Sequence, residues 1–175
     1  NSALTANTSG AYNTAVGKNA LLGTGSTCGN PDLAYSTGSY NTALGASALS
    51  STTTASNNVG VGYQALYTNS TGTNNTALGY EAGYSNITGA SNVFIGYQAG
   101  YNETGSDKLY ISNSSSQNLI TGDFSTGYLS LGRAGLANGG IGIYGDMGAQ
   151  FMDDDASHYV AFVAPTSVSS NVTWT

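Results

Sequence analysis

Charge is what this sequence has least of. Charged residues make up 7% of its 175 residues, against about 25% in ordinary globular domains. The only cations are Lys18, Lys108 and Arg133, and the net charge is −6. Nucleic acid is therefore excluded as a partner, because phosphate must be neutralised by Lys and Arg. The same shortage excludes anionic membrane surfaces. With only 2 prolines, the chain is neither collagen nor a Pro-rich linker. Its one cysteine, Cys28, allows no intrachain disulfide and no cysteine-based zinc site within one chain. Cys28 reads as a lone thiol, or as an interchain one across a symmetry axis. No apolar run reaches the roughly 18 residues of a membrane span, so no membrane insertion is expected. No signal peptide or initiator Met is visible. With the end at Trp174-Thr175, an interior piece of a longer chain is expected.

What remains is small, polar and β-prone. There are 25 glycines and 13 tyrosines, amid abundant Asn, Ser, Thr and Ala. Low charge alone would suit disorder, but disordered chains are poor in aromatic and β-branched residues. Plentiful Tyr, Val, Ile and Thr favour β structure.

A repeat organises these residues. Its units begin Asn13-Thr-Ala-Val-Gly17, Asn41-Thr-Ala-Leu-Gly45 and Asn58-Val-Gly-Val-Gly62. They continue Asn75-Thr-Ala-Leu-Gly79, Asn92-Val-Phe-Ile-Gly96 and a degenerate Lys108-Leu-Tyr-Ile-Ser112. The anchors are 28, 17, 17, 17 and 16 residues apart. The first interval holds an insertion near 24–35, with Cys28, Pro31 and Asp32, which reads as a loop pushed out of one coil. In phase with the motif come Ala20, Ala48, Ala65, Ala82 and Ala99. Tyr63, Tyr80 and Tyr97 form one tyrosine column, and Tyr67, Tyr84 and Tyr101 another. Small-residue turn signals precede each anchor, among them Ser9-Gly10, Thr71-Gly72 and Thr88-Gly89. Such glycines suit tight turns with positive φ.

Alternation within the motif is period two, hence a strand. The aliphatic strip is expected to fill a thin core, and the Ala and Gly strip to let backbones approach. Gln64-Ala-Leu-Tyr67 reads as a second short strand. Units of this kind stack as parallel β-coils about 4.8 Å apart. So thin a coil buries little alone, which argues for packing several copies around an axis. The expected fold is all-β: stacked parallel β-solenoid coils of about 17 residues in a homotrimeric fibre, then a short β-rich C-terminal section.

The Asn-Thr-Ala-Val/Leu-Gly-x-x-Ala units resemble the head repeats of trimeric autotransporter adhesins, which are trimeric parallel β-rolls. The stretch Asn92-Val-Phe-Ile-Gly-Tyr-Gln-Ala-Gly-Tyr-Asn-Glu-Thr-Gly105 is closer to repeats of bacteriophage tail fibres. So are Lys108 to Ser116 and Leu119-Ile-Thr-Gly-Asp-Phe124. The resemblance covers residues 9–132. It implies a structural and adhesive segment of a phage tail fibre, a rigid trimeric spacer located in the virion outside the cell. The implied partners are two further copies, other fibre or virion proteins, and host cell-surface polysaccharide. The alternative is the head of a bacterial adhesin at the cell surface. The units are longer than the adhesin repeat, and neither a coiled-coil stalk nor a membrane anchor accompanies them. Both departures favour the fibre.

Three sections are expected: the β-roll over 1–112, a Gly-rich trimeric connector over 113–150, and a strand section over 151–175. Within the connector, Asn113 to Gln117 is a polar loop and Tyr128 to Leu131 a strand. Ile alternates with Gly over 139–145, as expected of strands close to a threefold axis. His158 to Ala164 and Val172 to Trp174 read as strands around Pro165.

Little here can do chemistry, so no catalytic residue, metal or cofactor is expected and the chain reads as a non-enzyme. His158 is the only possible imidazole base. It reads as a strand histidine, with a histidine ring holding a metal as the alternative. Asp153-Asp-Asp155 lacks the spaced ligands of a calcium loop and reads as a polar turn. Glu81 and Glu103 fall at different phases and read as surface charge rather than a glycosidase pair. The Asn-x-Ser/Thr sequons at Asn69, Asn86 and Asn102 arise readily in so Asn- and Thr-rich a chain. The six column tyrosines remain. Each offers an apolar face and a polar tip, fit either to seal the coil or to contact glycans.

Overall fold

The computed structural model describes residues 3–23 and 36–131, and the backbone of Ala149–Met152 and Tyr159–Phe162. The insertion with Cys28, the 139–145 glycine run, Asp153–Asp155, His158, and Pro165 to Trp174 lie outside the described residues. All described regular structure is β. Six strands come one per coil: β1 (Thr14–Val16), β2 (Thr42–Leu44), β3 (Val59–Val61), β4 (Thr76–Leu78), β5 (Val93–Ile95) and β6 (Lys108–Ser112). They pair in parallel, in order, and the register equals the repeat: Thr42, Val59, Thr76 and Val93 are successive partners. The chain then doubles back. β7 (Asn118–Asp123) and β8 (Tyr128–Leu131) extend the same eight-stranded sheet antiparallel. The chain divides into compact units Asn1–Gly139 and Gly140–Thr175. In the second, β9 (Ala149–Met152) pairs antiparallel with β10 (Tyr159–Phe162).

The core reverses the expected facing of the strands. Ala43, Gly60, Ala77 and Phe94, at the strand centres, are buried. They pack with Leu21, Leu49, Leu66 and the alanines Ala20, Ala48, Ala65, Ala82 and Ala99 from the other limb of each coil. The space is too narrow for more: a methyl on Gly60 would lie 3.2 Å from Leu49 Cγ and 3.3 Å from the Ala65 carbonyl. Period two then forces the flanking residues outward. Val16, Leu44, Val61, Leu78, Ile95 and Ile111 form a column on the outer face, exposed or half-buried. The aliphatic strip is the outside of the sheet, not its core.

The fifth coil solves the volume problem differently. Where earlier coils place Leu49 and Leu66, the later ones have Gly83 and Gly100. A methyl on either would strike the Phe94 ring, at 2.4 Å and 2.2 Å. One phenyl thus fills the room of two leucines.

The other limb is not a strand. Gln64 and Leu66 have φ of 52°, as do Glu81 and Gln98, and Leu49 is at 51°. Left-handed backbone costs roughly 1–2 kcal/mol per residue. It is tolerated because it turns the amides alternately toward the two neighbouring coils. Gln64 N–H donates to Ala46 O below, and Leu66 N–H to Ala82 O above, at 3.0 and 2.9 Å.

Glycine has two separate roles. The motif glycines, such as Gly79 at φ +142°, lie so close to the next coil that a methyl would sit 2.3 Å from the Gly96 carbonyl oxygen. The turn glycines Gly10, Gly38, Gly72 and Gly89 do not have the expected positive φ. They are glycine because a side chain would meet the next coil's carbonyl: Gly72 would approach Gly89 O to 2.2 Å. Positive φ falls instead one residue before the anchor, on Tyr40, Asn57, Asn74 and Ser91.

The anchor asparagines tie coil to coil. Asn41, Asn58, Asn75 and Asn92 are fully buried. Each Oδ1 accepts the backbone N–H of the next anchor, at 2.9–3.0 Å from Asn41 through to Asn92. Nδ2 of Asn41, Asn58 and Asn75 donates to the turn carbonyl 14 residues on, Ala55, Gly72 and Gly89, and that of Asn92 to Gly105, 13 residues on, all at 2.8–2.9 Å. Only a side chain with both donor and acceptor can do this buried. Asn69 and Asn86, at two of the sequons, are also fully buried, and their amides donate to Gly72 and Gly89. Their Oδ1 atoms have no ordinary donor. The Cβ direction of the turn glycine points at each, at 2.4 and 2.2 Å, so a Cα–H contact meets it.

Candidate functional site

Stacked coils place equal phases above one another, and the tyrosine columns follow. Tyr63, Tyr80 and Tyr97 stack with centroids 5.2 Å apart and planes 10–19° from parallel. Tyr67, Tyr84 and Tyr101 stack at 5.2 and 5.0 Å, both at 9°. The first ladder is exposed and the second half-buried. All six residues are therefore brought into two ordered ribbons. A third ladder has no place in the sequence expectations: Tyr12 stacks on Tyr40 at 5.0 Å. Its signal was the repeated Tyr-Asn-Thr-Ala, in which tyrosine precedes the anchor.

This geometry limits what the ribbons can do. Rings at such spacing cover each other's faces, so interior rings offer only edges and hydroxyls. A flat ligand can stack only at a ladder's end. Beside the first ladder, Gln98 Nε2 donates to Glu81 Oε2 at 2.7 Å. Hydrogen bonding to Glu81, then burial, pushes the Tyr80 phenol above its ordinary pKa. Burial, then the neighbouring Tyr101 and Tyr67, does the same for Tyr84.

Glu103 is more than surface charge. Its Oε1 accepts the N–H groups of Thr104 and Gly105 at 3.0 and 2.7 Å. Its Oε2 accepts the Tyr110 hydroxyl at 2.6 Å. Burial, then this bond, pushes Tyr110 up to about 12. Glu81 and Glu103 belong to separate clusters. Among the described residues no group of three or more His, Cys, Asp or Glu is placed to hold a metal ion, and no helix is long and apolar enough to cross a membrane.

Comparison with known proteins finds no family model, no curated protein and no solved structure that matches this chain.

Proposed function

We propose that this chain is a structural and adhesive segment of an extracellular fibre made of three copies, as in phage tail fibres. The observation that carries the reading is the outer face of the sheet. Val16, Leu44 and Leu78 are 57%, 47% and 49% exposed, in a column of aliphatic side chains that runs the length of the coils. Aligned apolar patches of this kind mark contact surfaces. The strip repeats with the coil, so another copy in register offers the same strip rung for rung. Burying it in a trimer supplies what the alanine-rich interior lacks. The mechanism is passive: a rigid spacer in the virion that joins other fibre or virion proteins and carries tyrosine edges toward host polysaccharide.

Light scattering on the purified chain tests the assembly, with three chains per particle expected. A well-folded monomer overturns it. Leu44→Lys with Leu78→Lys, which point away from the core, should give a folded but dissociated chain. The Asn-Thr-Ala-Val/Leu-Gly motif favours a second reading, the head of a bacterial adhesin. A coiled coil and β-barrel anchor beyond Thr175 in the full-length protein would decide for it. Sustained release of reducing ends from host polysaccharide would overturn the non-enzymatic reading.

A further inference from the structure

The second tyrosine ladder ends beside a cleft. Tyr101 stacks on Tyr84, and no aromatic ring among the described residues stacks beyond it. One repeat further on in the sequence stands Asn118, but the chain has already reversed into β7. The reversal leaves a cleft of about 220 Å³ lined by Tyr101, Glu103, Tyr110, Ser115, Ser116 and Asn118.

The cleft is built, not merely open. Glu103 is fixed by two backbone N–H groups and by the Tyr110 hydroxyl. Three bonds leave its carboxylate with spare acceptor capacity, and the phenol oxygen can still accept. Ser115, Ser116 and Asn118 make no side-chain hydrogen bond among the described residues and can serve as donors or acceptors. One terminal aromatic ring with several convergent polar groups suits a ring that is apolar on its face and hydroxylated at its edge. The volume falls below the roughly 300–1,000 Å³ of drug-sized sites, which fits one such ring. Glu103 and the net charge of −6 oppose an acidic one.

We propose that this cleft binds a single neutral pyranose, with Tyr101 as the stacking platform and Glu103, Tyr110 and Asn118 as hydrogen-bonding partners. The proposal rests on the adhesive part of the function above and narrows it from six tyrosines to one. Saturation-transfer NMR on the whole chain tests it, with methyl β-glucoside and methyl N-acetyl-β-glucosaminide as probes and glucuronic acid as the charged comparison. Transfer to the ring C–H protons of at least one neutral glycoside is expected. Affinity should fall roughly tenfold in Tyr101→Ala, the loss of one aromatic stacking contact. Ser115→Trp, in the exposed loop, should block the cleft without touching the coils, while Tyr128→Ala on β8 should change nothing. No transfer from either neutral probe overturns the proposal. So does equal transfer in Ser115→Trp, or tighter binding of glucuronate. Light scattering on the same samples separates the two readings. A trimer that binds no sugar removes the cleft and leaves the fibre; a monomer that binds sugar does the reverse.

Discussion

Phe94 should be replaceable, but only together with its two glycines. Phe94→Ala alone leaves a cavity in the fully buried core, which costs about 3–5 kcal/mol. Gly83→Leu or Gly100→Leu alone drives a Cβ to 2.4 or 2.2 Å from the Phe94 ring, and overpacking costs typically 1–3 kcal/mol or more. Each leucine also meets left-handed strain of roughly 1–2 kcal/mol. The backbone nevertheless accepts it, since Leu49 and Leu66 hold φ of 51° and 52° and Gly83 and Gly100 hold 64° and 61°. The triple variant recreates the arrangement of Ala43 opposite Leu49. Burying two leucines returns about 1.5–3 kcal/mol each, which offsets both the strain and the lost phenyl. We expect the triple variant to lie within about 2 kcal/mol of the native chain. The single variants together would lose far more, so the coupling should be at least about 3 kcal/mol. Urea denaturation followed by circular dichroism measures it, at one fixed chain concentration because assembly adds to stability. Losses that simply add would refute the volume-exchange argument.

Other consequences are as direct. Asn75→Ala strands the Asn92 N–H, at about 1–3 kcal/mol for a buried group, while the Gly89 carbonyl keeps the Asn86 amide as donor; a loss of stability under about 1 kcal/mol by denaturation would contradict the ladder. Gly79→Ala places a methyl 2.3 Å from a backbone oxygen that cannot swing away, so circular dichroism should find the coils lost or their melting sharply lowered. Tyr110, raised to about 12, keeps its proton while unfolded tyrosine loses its own near 10. Stability should therefore fall as pH rises from 10 to 12, and Tyr110→Phe should flatten that fall in alkaline melting curves. Asp123 is held well below the carboxylate range by Lys108 first and Ser125 next. Its contribution is present above about pH 4 and lost as pH falls below it, a loss that Asp123→Asn should remove from acid titrations.

The sequence states the coil length, the strands and the columns, because all three depend on phase alone. A register of one repeat makes Thr42 meet Val59 and Tyr80 meet Tyr97 whatever the side chains do. Facing was not legible in the same way. Alternation in Val59-Gly-Val61 separates two sides but does not say which is inside. The usual preference for burying the larger residues fails here, since the coil is too narrow for them beside Leu49 and Leu66. The leucine limb reads as a strand in the sequence because left-handed φ at Gln64 and Leu66 leaves no mark in an apolar pattern. Glu103 reads as surface charge in the sequence for another reason: its partner Tyr110 lies in the next coil, and only stacking joins them.

How the stack ends connects the fold to its use. A parallel stack offers unpaired backbone groups at its last coil, a template for further strands. Here the anchor ladder stops at the sixth coil. Lys108 gives its N–H to Asn92 Oδ1, but as lysine it has no oxygen to offer a seventh. Its ammonium turns instead to Asp123 on the returning β7. The chain reverses, and β7 and β8 cover the open edge antiparallel. The coils stop where the anchor asparagine gives way to Lys108, and the reversal that follows into β7 shapes the cleft beside Tyr101. The parallel coils end here, with β8 the last described strand of the sheet, while the aliphatic column on the sheet's outer face stays exposed or half-buried. Parallel pairing stops at β6, whereas the apolar column recurs on every coil, so the side of the stack is the surface on which the association proposed above would rest.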